Sequence, residues 1–159
     1  MTNSPPWVIR RAGPKDLDAA IRLSVSEGSR PARPVSKLEQ ETWRRMMTSP
    51  DLTVYLAVVG KEVIGTTTTM TMPNITYDCA PTLFIEAVRV AQAYRRQGIA
   101  TAMIKQALAD ARAAGGNKVQ LLSHKRHAHD GTHRFYGELG FQAEAEGFRL
   151  YLREAPVAL

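Results

Sequence analysis

The sequence predicts a single α/β (α+β) domain, a mixed central sheet flanked by helices, and three observations carry that expectation. Phe84 to Ile104 reads FIEAVRVAQAYRRQGIATAMI, a β-rich run that enters a 3.6-period helix through an arginine-rich, single-glycine turn. Leu52 to Val59 and Glu62 to Met72 are β-rich runs separated only by Gly60 and Lys61, the spacing of an antiparallel hairpin. The chain has 159 residues, one domain's worth, and a chain of that size buries about 70% of its unfolded surface. No internal repeat, low-complexity segment or linker interrupts it. Residues 1–159 therefore read as one domain, with a core over 7–152 and a loose tail, REAPVAL, over 153–159.

Trp7 to Arg11 reads as a short strand, after which Gly13, Pro14 and Asp16 open a helix with Leu17, Ala20, Ile21 and Leu23 on one side. GSRPARP, Gly28 to Pro34, stops it, because neither proline nor glycine continues a helix. The capping box SKLE, Ser36 to Glu39, introduces a second helix carrying Leu38, Trp43, Met46 and Met47 to about Thr48. The hairpin follows, then a polar loop from Asn74 to Pro81. A strand from Leu83 to Val90 extends the hairpin into a three-stranded meander. In strict alternation Ile85, Ala87 and Arg89 share one face and Phe84, Glu86, Val88 and Val90 the other, which sets Glu86 on an otherwise apolar face. From Gly98 a helix runs to Gly115 and Gly116 with Met103, Ile104, Ala107, Leu108 and Ala111 on one stripe. Val119 to Leu122 is a short buried strand, Thr132 to Leu139 a helix closed by Gly140 with Asp130 as candidate N-cap, and Phe148 to Leu152 a final strand. The order is β-α-α-β-β-β-α-β-α-β.

The turn RRQGIA, Arg95 to Ala100, points to a phosphorylated ligand. A helix that begins near Gly98 presents amide groups without intrahelical acceptors at the positive end of its dipole. Gly98 lets an anion approach the backbone, Arg95 and Arg96 add charge-assisted hydrogen bonds, and Ala100 keeps the first turn slim. The chain contains neither GxGxxG after a strand nor GxxxxGK[ST], so dinucleotide-fold and P-loop readings lose their support.

Composition narrows the class further. With 44% hydrophobic and 23% charged residues, the chain has the make-up of an ordinary globular domain. No apolar run approaches the roughly 20 residues of a membrane span, and the first residues, MTNSPPWVIRR, lack a signal-peptide core, so a cytoplasmic address without membrane contact is expected. Cys79 is the single cysteine, which excludes an internal disulfide and CxxC motifs. The net charge of +6 suits either nucleic acid or a small polyanion. The basic residues are scattered and no aromatic-interleaved basic stripe exists, so nucleic-acid binding is disfavoured.

The pattern [QR]xxGx[GA] at a strand-to-helix junction, followed by FYGELGF from Phe135 to Phe141, resembles the GNAT superfamily of acetyl-CoA-dependent N-acetyltransferases. The likeness spans nearly the whole chain and is strongest from Pro73 to Leu152. IEAVRV followed by RRQGIA is similar to the glucosamine-phosphate N-acetyltransferase branch, in which a glutamate stands at the position of Glu86. The chain departs from the pattern at Arg96, where the family often has glycine, and at His129, where it has asparagine.

This resemblance implies a sheet of about six to seven strands, acetyl-CoA as cosubstrate, and room for a homodimer; its local likeness to the glucosamine-phosphate branch concerns the coenzyme half and does not fix the acceptor, for which a small-molecule amine is expected over a protein because the chain is compact with no appended recognition domain, and no metal is expected. It implies that the first two helices help line the acceptor site. It also implies that Val88, Arg89, Val90, Arg95, Arg96, Gln97, Gly98, Ile99, Ala100, Thr101, His129 and Phe135 contact the coenzyme, the backbones of Val88 and Val90 pairing with its pantetheine amides as another strand would. An amine with a pKa near 10.4 is only about one part in 10³ neutral at pH 7, so transfer needs a base. Glu86 is the candidate, held in a cleft with its pKa raised, and Tyr136 is the candidate acid for the leaving thiolate. The expected route is direct transfer in a ternary complex, because Cys79 has no evident activating partner for a covalent acetyl-enzyme. A noncatalytic acyl-CoA-binding sensor and a basic nucleic-acid binder are the alternatives. His124, His127, His129 and His133 cluster, and HDGTH superficially resembles the zinc motif HExxH. That motif needs one continuous helix, whereas Gly131 delays the helix to about Thr132, so these histidines read as ligand-recognising or solvated loop residues.

Overall fold

A computed structural model describes residues 6–152, and the 153–159 tail lies outside the described residues. Among the described residues, five strands and four α-helices follow one another as β1 (Val8–Arg11), α1 (Leu17–Ser26), α2 (Lys37–Thr48), β2 (Leu52–Val59), β3 (Glu62–Met72), β4 (Thr82–Val90), α3 (Ile99–Ala113), β5 (Lys118–Leu121) and α4 (Thr132–Glu138). The strands form one sheet in the order β1-β2-β3-β4-β5. The β1–β2, β2–β3 and β3–β4 pairs are antiparallel, so the expected hairpin and meander are present. The chain gathers into two compact units with the boundary after Gln120.

In the first unit the period-2 pattern of β2 sends its residues to opposite faces of the sheet. Val54, Leu56 and Val58 join Val63, Leu23 of α1 and Trp43 of α2 in one core. Ala57 joins Ile64 with Ile99 and Met103 of α3 in the other, against which Val88 and Val90 pack. The sheet is thus covered by α1 and α2 on one face and by α3 on the other. Met103 and Ile104 are fully buried, and each such side chain contributes about 1.5–3 kcal/mol. Gly65 is the close-packing point between β3 and α3. A Cβ there would meet Arg89 O at 3.1 Å, Ala57 Cβ at 3.2 Å and Ile99 Cγ2 at 3.3 Å.

Local chemistry fixes the element ends. Ser36 Oγ accepts from Glu39 N at 3.2 Å while Ser36 N donates to the Glu39 carboxylate at 2.8 Å, the reciprocal cap expected of SKLE. Arg30, then the Ser36 amide and Arg33, hold the Glu39 carboxyl well below the usual carboxylate range. Trp43 Nε1 donates to Gly13 O at 3.2 Å, tying α2 to the chain ahead of α1. A further polar group crosses the α3 face. The Tyr55 hydroxyl of β2 donates to Asp110 of α3 in a short hydrogen bond, and Arg11 of β1 reaches the same carboxylate at 2.7 Å. Burial, with the Asp110 hydrogen bond behind it, pushes the Tyr55 hydroxyl far above its ordinary value. Desolvation works to raise Asp110, but hydrogen bonds from Tyr55, Arg11 and Gln106 outweigh it and leave the carboxyl below its ordinary value.

Two expectations are corrected here. The sheet has five strands among the described residues, not six to seven, and Phe148 to Leu152 forms no strand. Phe148, Leu150 and Leu152 are 90%, 86% and 89% exposed: the alternating pattern is present, but no neighbouring strand supplies a ladder. The second correction concerns β4. Its register against β3 pairs Thr68 with Glu86 and Thr66 with Arg89, so Ala87 and Val88 together stand against Thr67. This is a β-bulge, with Ala87 at φ 55, and it reverses the alternation beyond Glu86. Val88 and Val90 face α3, while Glu86 and Arg89 share the face that α1 and α2 cover. The faces expected from strict alternation therefore hold only up to Glu86.

In the second unit α4 begins at Thr132 after Gly131, and Asp130 Oδ1 accepts from Thr132 N at 2.9 Å, capping the helix from just before the capping position. The chain leaves α4 through Gly140, with Phe141 N donating back to Tyr136 O at 3.1 Å.

Candidate active site

The bulge organises the first half of the site. Thr67 Oγ1 donates to Glu86 O at 3.1 Å, which gives the disrupted ladder a side-chain partner where the backbone departs from β3. Glu86 is exposed on its face, between half-buried Phe84 and Arg89 in the face's order. Past the bulge, Ala91 N donates to Ile64 O at 2.8 Å. Backbone direction alternates along a strand, so Arg89 also turns its peptide groups toward β3, and Val88 and Val90 turn theirs away. Asn117 N donates to Pro81 O at 2.8 Å, which starts β5 beside the beginning of β4. With four residues against nine, β5 accompanies at most the first half of β4.

The connector from β4 to α3 forms the second half. Gln92 to Tyr94 make a 3-10 turn, Arg96 stands at φ 64, Gly98 caps α3 at φ 80, and Ala102 N makes the first helical bond to Gly98 O at 2.9 Å. The amides of Ile99, Ala100 and Thr101 open the helix ahead of that bond, without intrahelical acceptors. Ile99 is buried, Ala100 and Thr101 are half-buried, and Arg96, Gln97 and Gly98 are exposed; Gln97 Nε2 reaches back to Ala93 O at 3.4 Å. Together these place partial positive charge and one exposed guanidinium at the start of α3.

Arg95 has a different setting. Its Nε donates to Val90 O at 3.0 Å and its other end pairs with the Glu27 carboxylate in a short contact. Glu27 also accepts from Gln92 N at 3.0 Å, and its side chain is only 8% exposed. The end of α1 thus grips both the connector and, through Arg95, the last carbonyl of β4. Sequence reasoning missed Glu27. A signal existed: an acid at a helix C-terminus opposes the dipole unless a cation answers it.

The remaining candidates lie in the second unit. Tyr136 is half-buried in α4, its ring 5.0 Å from that of Phe135 and 5.8 Å from that of Phe141. His129 is exposed. His127 Nε2 accepts from Arg126 Nε at 3.2 Å, which leaves Nδ1 to carry the proton it shares with Asp130 at 2.5 Å. The Thr132 side chain and amide and His127 hold the Asp130 carboxyl far below its ordinary value. Among the described residues, no three His, Cys, Asp or Glu side chains converge as a metal site, and no helix is long and apolar enough to cross a membrane.

Comparison with known proteins sets this arrangement in context. The acetyltransferase (GNAT) family profile matches residues 19–141. A protein of Agrobacterium tumefaciens provisionally classed as an acetyltransferase is similar to the chain at 27% identity and TM-score 0.83, over 91% of this chain and 99% of that one. A Trypanosoma brucei acetyltransferase is similar at 25% identity and TM-score 0.79, over 92% and 99%. Glucosamine-6-phosphate N-acetyltransferase from Arabidopsis thaliana shares the fold at 14% identity and TM-score 0.78, over 92% and 99%. No curated protein sequence matches.

Proposed function

Because the chain belongs to the acetyltransferase (GNAT) family, whose members draw on acetyl-CoA, we propose that it transfers the acetyl group of acetyl-CoA to the primary amine of a small molecule by direct attack in a ternary complex. The observation that carries this reading is the bulge at Ala87. It turns the peptide groups of Val88 and Val90 away from β3, as an extended pantetheine arm requires, and leaves Glu86 on the opposite, acceptor-facing side. The diphosphate of the coenzyme rests at the start of α3 on the amides of Gly98 to Thr101, with Arg96 adding charge and Arg95 holding the connector.

In the proposed reaction, an ammonium acceptor loses a proton to Glu86 through water, since Glu86 is exposed. The amine lone pair then forms the new C–N bond at the thioester carbonyl, the nitrogen of the tetrahedral intermediate gives its surplus proton to water, and the C–S bond breaks as that intermediate collapses to the amide, Glu86 returning the proton it took to solvent. Tyr136, on the FYGELGF motif, gives its proton to the departing thiolate and regains one from solvent. No acetyl-enzyme forms, so initial-rate plots intersect; parallel lines would overturn direct transfer. Thiol release from acetyl-CoA with a panel of amines separates this reading from a coenzyme-binding sensor, which binds acetyl-CoA in calorimetry yet releases no thiol with any amine.

A further inference from the structure

We infer that the acceptor is an amine that also carries a carboxylate or phosphate group, with Arg89 receiving that anion while Glu86 receives the ammonium; the inference rests on the acetyl-transfer reading.

The bulge is what brings these two residues together. Without it, Arg89 would face α3 beside Ile85; with it, Glu86 and Arg89 share one face, standing opposite Thr68 and Thr66 of β3. Their partners lie two residues apart on β3, which separates the two backbone positions by about 7 Å. Two flexible side chains reaching from that separation span the distance between the amine and the anion of a compact metabolite.

Arg89 is half-buried, and among the described residues no ion pair or side-chain hydrogen bond engages its guanidinium. Arg30, another half-buried arginine of the same unit, shows the usual outcome. It donates to Glu39 at 2.8 and 3.2 Å and to three backbone carbonyls. A planar guanidinium with five donors is built for an oxyanion, and Arg89 is left with its donors to offer. The hydroxyls repeat the contrast. Thr67 and Thr69, on the α3 face, donate to carbonyls at 3.1 and 3.4 Å, whereas Thr66 and Thr68, on the Glu86 face, have no such bond among the described residues.

The charge pattern selects among amines. A polycationic acceptor would set a second positive group against Arg89, a like-charge contact that costs binding. A neutral-bodied amine would answer Glu86 and leave the guanidinium without a counter-ion. An amine with an anion on the same molecule answers both.

The test uses the full-length protein and matched acceptor pairs: amino acids against their amides, amino sugars with and without a phosphate ester, and a linear polyamine. Thiol release gives kcat and KM for wild type, Arg89→Ala and Arg89→Lys, and calorimetry gives acetyl-CoA affinity for each. The expected result is a kcat/KM about tenfold or more higher for the anionic member of at least one pair, expressed mainly in KM. Arg89→Ala then shrinks that ratio toward unity, and Arg89→Lys restores part of it. The carboxylate and phosphate pairs report which anion the site takes. A wild-type preference for neutral or polycationic amines overturns the inference alone and leaves acetyl transfer standing. The same holds for an Arg89→Ala variant that keeps the ratio while losing acetyl-CoA affinity, which would make Arg89 a coenzyme contact. Acetyl-CoA binding without turnover of any amine would instead overturn the parent reading, and this inference with it.

Discussion

Glu86 has the most demanding task of any residue in the proposed reaction, since it must take a proton from an ammonium that holds it tightly at neutral pH. Glu86→Gln is expected to lower kcat/KM by about 10²–10⁴ at pH 7, with recovery as the pH approaches the pKa of the amine. A deficit that stays constant from neutral to alkaline pH would remove Glu86 as the base. Arg96 is the second residue with a measurable signature. Its φ of 64 lies where an L-residue costs about 1–2 kcal/mol and glycine does not. Arg96→Gly is therefore expected to raise stability by about 1 kcal/mol in urea unfolding while weakening acetyl-CoA in calorimetry, because the guanidinium is lost. Glu86 and the RRQGIA turn were legible in the sequence as residue types in a context. The side on which Arg89 stands was not, because IEAVRV reads as regular alternation and an inserted residue leaves no mark in the pattern.

At the scale of elements, the contact that matters is the one between the end of α1 and the β4–α3 connector. Glu27, half-buried with its side chain only 8% exposed, accepts from Gln92 N and pairs with Arg95, which in turn holds Val90 O. Removing that carboxylate frees the connector just where the coenzyme phosphates are proposed to rest. Glu27→Ala is expected to weaken acetyl-CoA binding about tenfold and to cost about 1–3 kcal/mol of stability, with Glu27→Gln intermediate because its amide oxygen still answers Gln92 N. Unchanged acetyl-CoA affinity in a folded Glu27→Ala protein would restrict Glu27 to a packing role. Most element boundaries were legible because local chemistry sets them: SKLE starts α2, Gly98 starts α3, and Gly60 with Lys61 turns the hairpin. Phe148 to Leu152 shows the limit, since a strand needs a partner as well as a pattern.

Across the first unit as a whole, the polar group of Tyr55, Asp110 and Arg11 links β1, β2 and α3 through one carboxylate. Tyr55→Phe is expected to cost about 1–3 kcal/mol, because it leaves Asp110 without its closest donor. That corresponds to about 2–4 °C in Tm per kcal/mol for a chain of this length. The pH dependence follows from the sign of each shift. Asp110 is depressed from 3.8, so its contribution is complete above that pH and fades as the solution becomes more acid. Tyr55 is raised from 10.0, so its contribution is complete below that pH and is lost only in strong alkali. The difference in stability between wild type and Tyr55→Phe should accordingly be level between those limits; a gap that already closes at pH 7 would contradict the hydrogen-bonded assignment. The α/β class, the meander and the amphipathic α3 were legible at this scale because hydrophobic periodicity reports burial directly. The Tyr55–Asp110 pairing was not, since residues so distant in sequence carry no local sign of meeting.

The surplus residue at Ala87 has one further consequence. It acts on the pleat as a frameshift acts on a message, so that everything downstream is read in the other phase. A descendant of this chain that dropped one residue there would keep its valines and its arginine, yet turn the valines to the face of Glu86 and the arginine against α3. If Arg89 receives the acceptor's anion as proposed, substrate preference at such a strand can be rewritten by length alone, with no side chain exchanged.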